Sequence, residues 1–398
     1  MNSIQRLRLR YLLADAWHNV TMYRALYEAS GLSERDLAER EVLSRLPILT
    51  KAQLLATPQE ERVNRRFRRS ELTMESTTGS TGQPFSLYID SRYRLLRNLR
   101  FLHGLFSAGY RPWHRMLLLT DRYDGLKRKQ NRYYQSVERP ATEILEAYLR
   151  VRPQVLYGFT TPLRMLAETI RKAGKGVPRP RLVVSTAEML DPAARESLSS
   201  TFGCPVTDFY GLTEMGLVAW QRPGADGYVL SSFGVITELV PDHSCPGRYR
   251  LLMTNLDLRG SPIIRFDAGD LAHAVFVDGK PRIRSFEGRL IDTLLTRDGS
   301  EISPYRVTDA LRDIPGLKRF RILQQTRSAL DVALEIDSVA ARSEAIRQIR
   351  NILEKLLGPE LQLNFSFSDQ LIPAGATKFR PVESRVLRPM GDLSRVMS

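Results

Sequence analysis

Residues Gln154–Ile170 read QVLYGFTTPLRMLAETI, an apolar run of strand length followed by a segment with helical spacing. Leu163, Leu166 and Ile170 recur every three or four residues, as one buried face of a helix requires. A strand joined by a short turn to a helix is the repeating unit of a parallel sheet covered by helices. The stretch therefore predicts an α/β fold.

The same unit recurs on both sides of this stretch. Further strands are predicted at RMLLLT (115–120), RLVVST (181–186) and PVTDFYG (205–211). A helix opened by Asp191 and Pro192 is expected between the last two. Ligands of parallel sheets bind beyond the carboxyl ends of the strands, where STAE (185–188) and YGLTE (210–214) fall. We therefore expect the functional site at this edge.

The pattern changes twice further along the chain. After Gly224 the helical spacing stops, and alternating segments such as VITELV and RYRLLMTNL predict antiparallel strands. Beyond a hinge near 289–292, two strands, a helix and a final strand predict a compact α+β unit. We expect a large α/β domain with mixed sheets at 1–290 and a small C-terminal α+β lid domain at 291–398.

Composition bounds the class of protein. The 398 residues, 42% hydrophobic and 26% charged, are typical of a soluble globular chain of two domains. No apolar run approaches the roughly 18 residues that a membrane span needs, and the N-terminus lacks the apolar core of a secretory signal. Cys204 and Cys245 have no metal-binding spacing and no disulfide framework. These features predict a cytoplasmic protein without a transmembrane segment.

Basic residues dominate the charge. The formal net charge is +15, and ERVNRRFRRS contains Arg62, Arg65, Arg66, Arg68 and Arg69. Such a cluster attracts polyanions, and phosphorylated small molecules or an acidic carrier protein fit it as well as a merely solvated face does. The chain has no zinc finger, no aromatic RNA-binding signature and no basic region beside heptads, which argues against nucleic acid as a partner. We hypothesise that the arginines lie near the mouth of the active site.

The N-terminal segment MNSIQRLRLRYLLADAWHNV predicts an amphipathic helix. Its arginines suit an acidic membrane surface, but docking of the helix on the protein itself is the favoured interpretation. A second helix is predicted to start at Lys51, with Thr50 as its cap.

The segment STTGSTGQPF (Ser76–Phe85) combines hydroxyl residues and glycines just before a strand-like run. Flexible linkers have a similar composition, although they run longer and separate domains. Glycine permits positive φ and exposes N–H groups, and the hydroxyls add donors, so the loop is suited to wrap a phosphate. It is not a Walker loop, because the lysine of that motif is missing.

Taken together, these segments resemble the adenylate-forming (acyl-CoA synthetase) superfamily, within it the phenylacetate-CoA ligase-like branch that includes proteins of capsular-polysaccharide gene clusters. The resemblance covers nearly the whole chain. It rests on these motifs in the family's order: LPILTKAQL, STTGSTGQP, VLYGFTTPL, STAEML, FYGLTEMG, RFDAGDL, FEGRLIDTLLTRDGSEISP and TKFRPV. It implies that a carboxylate attacks the α-phosphate of ATP, releasing pyrophosphate, and that the acyl-adenylate then meets a second nucleophile.

The resemblance also assigns residues to the nucleotide. The phosphate loop is Thr77, Thr78, Gly79, Ser80, Thr81 and Gly82. Glu214 matches the acidic residue that binds magnesium, and Thr213 matches a hydroxyl that contacts the α-phosphate. Tyr210 and Gly211 border the adenine together with Ala187 and Glu188, with Tyr210 stacked on the base. Asp270 matches the acceptor of both ribose hydroxyls, and Arg289 lies near the ribose and phosphate.

Each of these residues also has an ordinary structural interpretation. Tyr210 suits core packing, Asp270 a turn, Glu214 an exposed loop and Arg289 an interdomain salt bridge. Lys378 resembles the C-terminal lysine that reaches the carboxylate and the α-phosphate, whereas a lysine there is otherwise solvated. The chain departs from the family at the hinge, where Ile291 stands in place of an acidic or basic residue, and after Pro84, where the lysine of many members is missing.

The acid and the acceptor are the least defined parts of the prediction. By position, the acid pocket is lined by Tyr157, Gly158, Phe159, Thr160, Gly211, Met215 and Gly216. The aromatics among them favour an aryl acid, although any of them suits a plain core. Coenzyme A, an acyl carrier protein and an amine stay open as acceptors, and a non-catalytic scaffold on a ligase fold is the alternative from another class. The expected cofactors are ATP and Mg²⁺.

Overall fold

The structure is a computed structural model that describes residues 1–39, 41–76, 85–121, 123–174, 176–242, 245–277, 279–336, 338–372 and 378–386. Helices and strands alternate through its first half, and strands dominate the second. The helices are α1 (Ser3–Asn19), α2 (Thr21–Ala29), α3 (Val42–Arg45), α4 (Lys51–Ala56), α5 (Gln59–Arg62), α6 (Ser91–Ser107), α7 (Ala141–Val151), α8 (Thr160–Ala173), α9 (Pro192–Phe202), α10 (Pro304–Leu311) and α11 (Arg342–Leu357).

The strands are short in the first half and longer between residues 206 and 289. They are β1 (Leu49–Thr50), β2 (Leu72–Ser76), β3 (Ser86–Asp90), β4 (Met116–Thr120), β5 (Lys127–Lys129), β6 (Arg132–Ser136), β7 (Val155–Phe159), β8 (Leu182–Thr186), β9 (Val206–Leu212), β10 (Gly216–Gln221), β11 (Tyr228–Leu230), β12 (Val235–Pro241), β13 (Arg248–Asn255), β14 (Phe266–Val277), β15 (Lys280–Arg289), β16 (Leu294–Leu295), β17 (Glu301–Ile302), β18 (Leu317–Gln324), β19 (Ala329–Ile336), β20 (Gln362–Phe367) and β21 (Val382–Ser384).

One large mixed sheet carries the first domain. Its strand order is β12-β13-β14-β15-β11-β10-β9-β8-β7-β4-β6-β5, and β1 pairs with β14. Strands β4, β7, β8 and β9 run parallel, so their carboxyl ends share one edge. From β10 to β15 the pairing is antiparallel. The predicted α/β class is therefore confirmed.

Local capping explains where two predicted helices begin. Thr50 and Gln53 cap each other's backbone N–H groups at the start of α4. Asp191 accepts a hydrogen bond from the Ala194 N–H (2.7 Å), and Pro192 occupies the first turn of α9. Both starts agree with the sequence.

The C-terminal region has a core of its own. Buried apolar residues between Leu294 and Val382 pack with one another. There β18, β19, β20 and β21 form a four-stranded sheet, and α11 turns Ile349 and Leu353 into the core. The boundary at 290/291 remains our proposal, and it coincides with a single 3₁₀ turn, Leu290–Asp292.

The N-terminal helices pack against the large domain. Leu12, Leu13 and Ala16 of α1 are almost completely buried, and the Tyr23 hydroxyl donates to the Pro262 carbonyl (2.9 Å). This is the docked helix that the sequence favours. Among the described residues, no helix is both long and apolar enough to cross a membrane.

Candidate active site

A cleft of ≈ 490 Å³ opens at the edge where β8 and β9 end. Its walls come from the loop after β8, from Phe209–Leu212 of β9, from β14 and β15, and from the C-terminal segment 378–382. The two domains therefore share one cleft, and Ala187, Glu188, Tyr210, Gly211, Asp270, Arg289 and Lys378 all line it.

Tyr210, Asp270 and Arg289 form a connected group on three strands. Asp270 on β14 stands opposite Arg289 on β15 in the antiparallel register. The Tyr210 hydroxyl donates to Asp270 Oδ2 (2.6 Å), and Arg289 Nε lies 3.5 Å from Asp270 Oδ1. Burial raises the pKa of the Asp270 carboxyl, and Arg289 and the Tyr210 hydroxyl oppose the shift.

The Tyr210 ring is held on one face by Phe286 of β15. The ring centroids are 3.8 Å apart and the planes differ by 18°. Stacking of this kind orients an aromatic ring beyond what burial alone achieves.

A small residue is required where β9 turns into β10. A Cβ built at Gly211 would lie 2.7 Å from the Gly216 carbonyl oxygen. The tight approach of these strands therefore favours glycine at position 211. This part of the cleft wall is accordingly formed by backbone atoms.

Glu188 joins the two domains. One of its oxygens accepts from the Thr161 N–H (2.7 Å), and the other accepts from the Thr161 hydroxyl and the Phe379 N–H (2.7 Å each). Burial raises the pKa of this carboxyl, and the hydrogen bonds oppose the shift. The residue before it, Ala187, has φ +64, a strained conformation that turns the chain at the rim of the cleft.

Lys378 stands next to this anchor. Because Phe379 donates its N–H to Glu188, the preceding lysine is held at the cleft, where its Nζ lies 5.3 Å from the centre of the Phe159 ring. Phe159 ends β7, so the lysine lies beside the strand edge that the sequence predicted as the site.

Glu214 and Thr213 follow β9 in the turn to β10. The side chain of Glu214 is buried, and its carbonyl accepts from Asn255 Nδ2 (2.7 Å). Burial raises the pKa of its carboxyl, while its own backbone N–H, Lys51 and Arg289 oppose the shift. Among the described residues no group of three His, Cys, Asp or Glu side chains could hold a metal.

This donor set agrees with Mg²⁺ bound together with phosphates. Magnesium usually takes one or two protein carboxylates and completes its shell with phosphate oxygens and water. Glu214 is not itself a lining residue of the cleft, but it interacts electrostatically with Arg289 and Asp270, which are. A single buried carboxylate there fits that pattern, and a full protein cage is not needed.

Asp208 is a cleft residue that the sequence prediction missed. It is buried on β9, and its Oδ2 accepts from the Tyr228 hydroxyl (2.5 Å). Its Oδ1 has no hydrogen-bond partner among the described residues. Burial raises the pKa of this carboxyl to about 6. The signal was its place two residues before Tyr210 on a strand, which puts both side chains on one face.

The residues proposed for the acid pocket differ in their surroundings. Met215 is completely buried in the core, and Gly216 lies against the side chain of Arg97. Tyr157 makes edge contacts with Phe101 and Phe209, with centroids 5.4 and 6.5 Å apart. Gly211 lines the cleft and Phe159 lies beside Lys378, and the acid pocket remains a prediction.

Two further predictions have different outcomes. The phosphate loop Thr77–Gly82 lies outside the described residues.

The arginine cluster is held by side chains of several elements. Arg66 Nη1 donates to the Tyr11 hydroxyl (2.9 Å), Arg65 binds Thr21, and Arg69 binds the Tyr88 hydroxyl. Among the described residues that line the cleft there is no member of this cluster.

The hinge has a charged residue one position later than expected. Ile291 is 52% exposed, and Asp292 forms an ion pair with Arg380 of the C-terminal segment. Another ion pair, which does cross the proposed boundary, joins Glu168 on α8 to Arg319 on β18. The charge missing at 291 is therefore supplied by the next residue.

Comparisons with known proteins identify relatives of this fold. Residues 130–242 match the family model described as AMP-binding enzyme. The chain is 22% identical over 411 residues to the phenylacetate-coenzyme A ligase of Escherichia coli (strain K12), covering 90% of this chain and 89% of that protein. These matches confirm the resemblance inferred from the motifs.

Solved structures show the same fold. A 2-hydroxyisobutyryl-CoA ligase crystallised in the postadenylation state with an acyl-AMP has a TM-score of 0.79 at 19% identity, over 97% of this chain and 91% of that one. The same ligase with CoA in the thioesterification state has a TM-score of 0.64 at 19% identity, over 96% and 90%.

Proposed function

We propose that this chain is an ATP-dependent, AMP-forming ligase that activates a carboxylic acid as an acyl-adenylate and transfers the acyl group to a thiol. The observation that carries the proposal is the shared cleft. The group Tyr210, Asp270 and Arg289 lines it from the large domain, and Lys378 lines it from the small domain.

The first group suits the nucleoside. Asp270 presents two acceptor oxygens, and a ribose carries two neighbouring hydroxyl donors. In the structure described here the Tyr210 hydroxyl and Arg289 occupy these oxygens, so ribose binding would exchange one set of donors for another. Asp208 Oδ1, which lacks a hydrogen-bond partner among the described residues, suits the amino group of adenine.

Adenylation joins two anions. A carboxylate oxygen of the acid attacks the α-phosphorus of ATP, the bond from that phosphorus to the bridging oxygen breaks, and pyrophosphate leaves. The ammonium of Lys378 would stabilise the charge that the two anions bring together, and fixed cations of this kind supply much of the catalysis in phosphoryl transfer. The loop Thr77–Gly82 is proposed to hold the β- and γ-phosphates.

Glu214 would hold Mg²⁺ together with the phosphates. When bound, the ion neutralises phosphate charge. Thr213, next in the chain, is proposed to place its hydroxyl near the α-phosphate.

In the second half-reaction the thiol sulfur attacks the acyl carbon and AMP leaves with the pair of electrons of the broken C–O bond. Coenzyme A is the favoured acceptor, because the relatives named above are coenzyme A ligases. A flat acid is favoured by the aromatic residues Tyr157 and Phe159 of β7, and Phe159 lies beside Lys378.

Acid-dependent exchange of pyrophosphate into ATP, measured over aryl, short hydroxy, fatty and amino acids, tests the first half-reaction whatever the acceptor is. We expect exchange with at least one aryl or short acid, and thioester formation when coenzyme A is added. A folded protein that binds ATP but catalyses no exchange with any acid would overturn the proposal. Exchange followed by transfer only to amines would overturn its thiol half.

A further inference from the structure

Helix α1 carries apolar side chains on two opposite faces. The inner face is formed by Leu9, Leu12, Leu13 and Ala16, which are buried. On the other side Ile4, Leu7 and Tyr11 are 65%, 69% and 49% exposed. We call these three residues the outer stripe. Since they recur at intervals of three and four, they form one row along the helix.

Single exposed apolar residues are common on proteins, but a row of three along one face of a helix is a patch. The loop before β12 approaches α1 from the other side, because the buried Gln5 donates its Nε2 to the Val235 carbonyl (3.2 Å).

Arginines border this patch. Arg66 Nη1 donates to the Tyr11 hydroxyl (2.9 Å), and the guanidinium of Arg259 lies 4.5 Å from the centre of the Tyr11 ring. Arg10 and Arg65 are exposed beside them. Arg66, a member of the arginine cluster, therefore lies at the outer stripe.

The carboxylates nearest to the stripe are already paired within the protein. Asp15 is buried and accepts from Asn19 Nδ2 and Asn64 Nδ2 (2.9 Å each). Asp257 forms an ion pair with Arg8. Asp15 also pairs with Arg66 (3.6 Å), so the positive charge beside the stripe that these two carboxylates do not pair is that of the exposed Arg10 and Arg65.

We propose that the outer stripe and its arginines form a docking surface for an anionic lipid bilayer. Aliphatic and aromatic side chains that point away from the protein enter the boundary between headgroups and acyl chains. Arginines beside them pair with lipid phosphates, and their stems add apolar contact. The helix lies flat on the membrane and does not cross it, and the surface is independent of the reaction in the cleft.

Co-sedimentation with vesicles tests this surface. The full chain is mixed with vesicles of phosphatidylcholine alone or of phosphatidylcholine and phosphatidylglycerol in equal parts. We expect binding to the anionic vesicles only. Raising the salt from about 0.1 M to about 1 M shortens the Debye length from about 10 Å to about 3 Å and should release much of the bound protein.

Two variants separate the apolar and charged contributions. The double variant Ile4→Ser with Leu7→Ser removes the aliphatic part of the stripe and should lose most vesicle binding. Arg10→Glu with Arg65→Glu should weaken binding by about fivefold or more for each reversed charge. The matched control, Leu149→Ser with Val339→Ser, removes two exposed aliphatic residues elsewhere (40% and 73% exposed) and should bind as the parent does.

Circular dichroism and pyrophosphate exchange establish that each variant is folded. Equal binding to both vesicle types, unchanged binding of the stripe variant, or no binding by the folded parent would overturn the proposal. If the parent fails to bind vesicles but forms a dimer that Ile4→Ser with Leu7→Ser dissociates in light scattering, the occupant is a second copy. Binding only to an acidic protein, with none to vesicles, would likewise overturn it.

Discussion

The two ends of the cleft are built in different ways. At the end proposed for the nucleotide, Tyr210 and Asp208 on β9 and Asp270 on β14 belong to one sheet and are held by hydrogen bonds within it. At the lysine end, the segment that carries Lys378 is tied to the large domain by the Phe379 N–H, which donates to Glu188, and Arg380 of the same segment pairs with Asp292 of the hinge. The first end is preorganised, whereas the second depends on few contacts that a domain movement can break. This difference suits a lysine needed for only one of two half-reactions.

The largest effect is expected from Lys378→Ala. Loss of one charge-stabilising group at a phosphoryl transition state costs about 10²-fold or more, so pyrophosphate exchange should fall by that factor. ATP affinity, measured by equilibrium dialysis, should stay near that of the parent because the nucleotide end is intact. If the variant exchanged pyrophosphate at the parental rate, Lys378 would have no role in adenylation.

Asp270→Asn probes the preorganised end. A hydrogen bond to a charged group contributes about 1.5–3 kcal/mol, so the ATP dissociation constant should rise by about 10- to 100-fold. Its control is Tyr210→Phe, which keeps the stack on Phe286 and removes only the hydroxyl. If both variants bound ATP equally well, the carboxylate would not hold the ribose.

Glu214→Gln removes the charge that Mg²⁺ would need while keeping the size of the side chain. The Mg²⁺ concentration that gives half-maximal exchange should rise by about tenfold or more, since even an outer partner of a metal contributes that much. An unchanged Mg²⁺ titration would mean that another carboxylate holds the metal.

Glu188→Gln weakens the anchor at the lysine end. The amide cannot accept all three hydrogen bonds, so exchange should slow by about fivefold, while ATP affinity stays unchanged. Because burial raises the pKa of Glu188, acidification should weaken the same anchor in the parent. The control is Glu168→Gln, which removes the ion pair with Arg319 and should slow exchange less. An equal loss would show that contact between the domains in general, and not the Glu188 anchor, positions the lysine.

The smallest effect is expected from Asp208→Asn and concerns stability. Burial raises the pKa of Asp208 from 3.8 to about 6, so the charged form is disfavoured in the fold. The stability that its protonated form contributes is present below pH 3.8 and lost as the pH rises through about 6. Urea unfolding between those values should show the parent losing stability relative to the variant, on the order of 1 kcal/mol. If the unfolding free energies of the parent and the variant changed with pH in parallel, Asp208 would not titrate with a raised pKa in the folded protein.

Many elements of this fold could be predicted from short segments of the sequence. Apolar spacing located β7 and α8, and hydroxyl or acidic caps located the starts of α4 and α9. The motif residues Tyr210, Asp270 and Arg289 proved to lie together at one cleft. Met215 did not appear at that surface, because the turn after β9 points it into the core.

The sequence by itself determined the α/β class, the strand edge at which the site lies and the residue types at the nucleotide end, since these depend on spacing and motifs within short segments. Only the tertiary structure decided the anchoring of Lys378, because its neighbour Phe379 bonds to Glu188 across 191 positions of the chain. It also decided that Arg66 contacts Tyr11 of α1, because these residues are 55 positions apart in the chain. Contacts between distant segments depend on how the domains pack, and no local pattern of side chains records that packing.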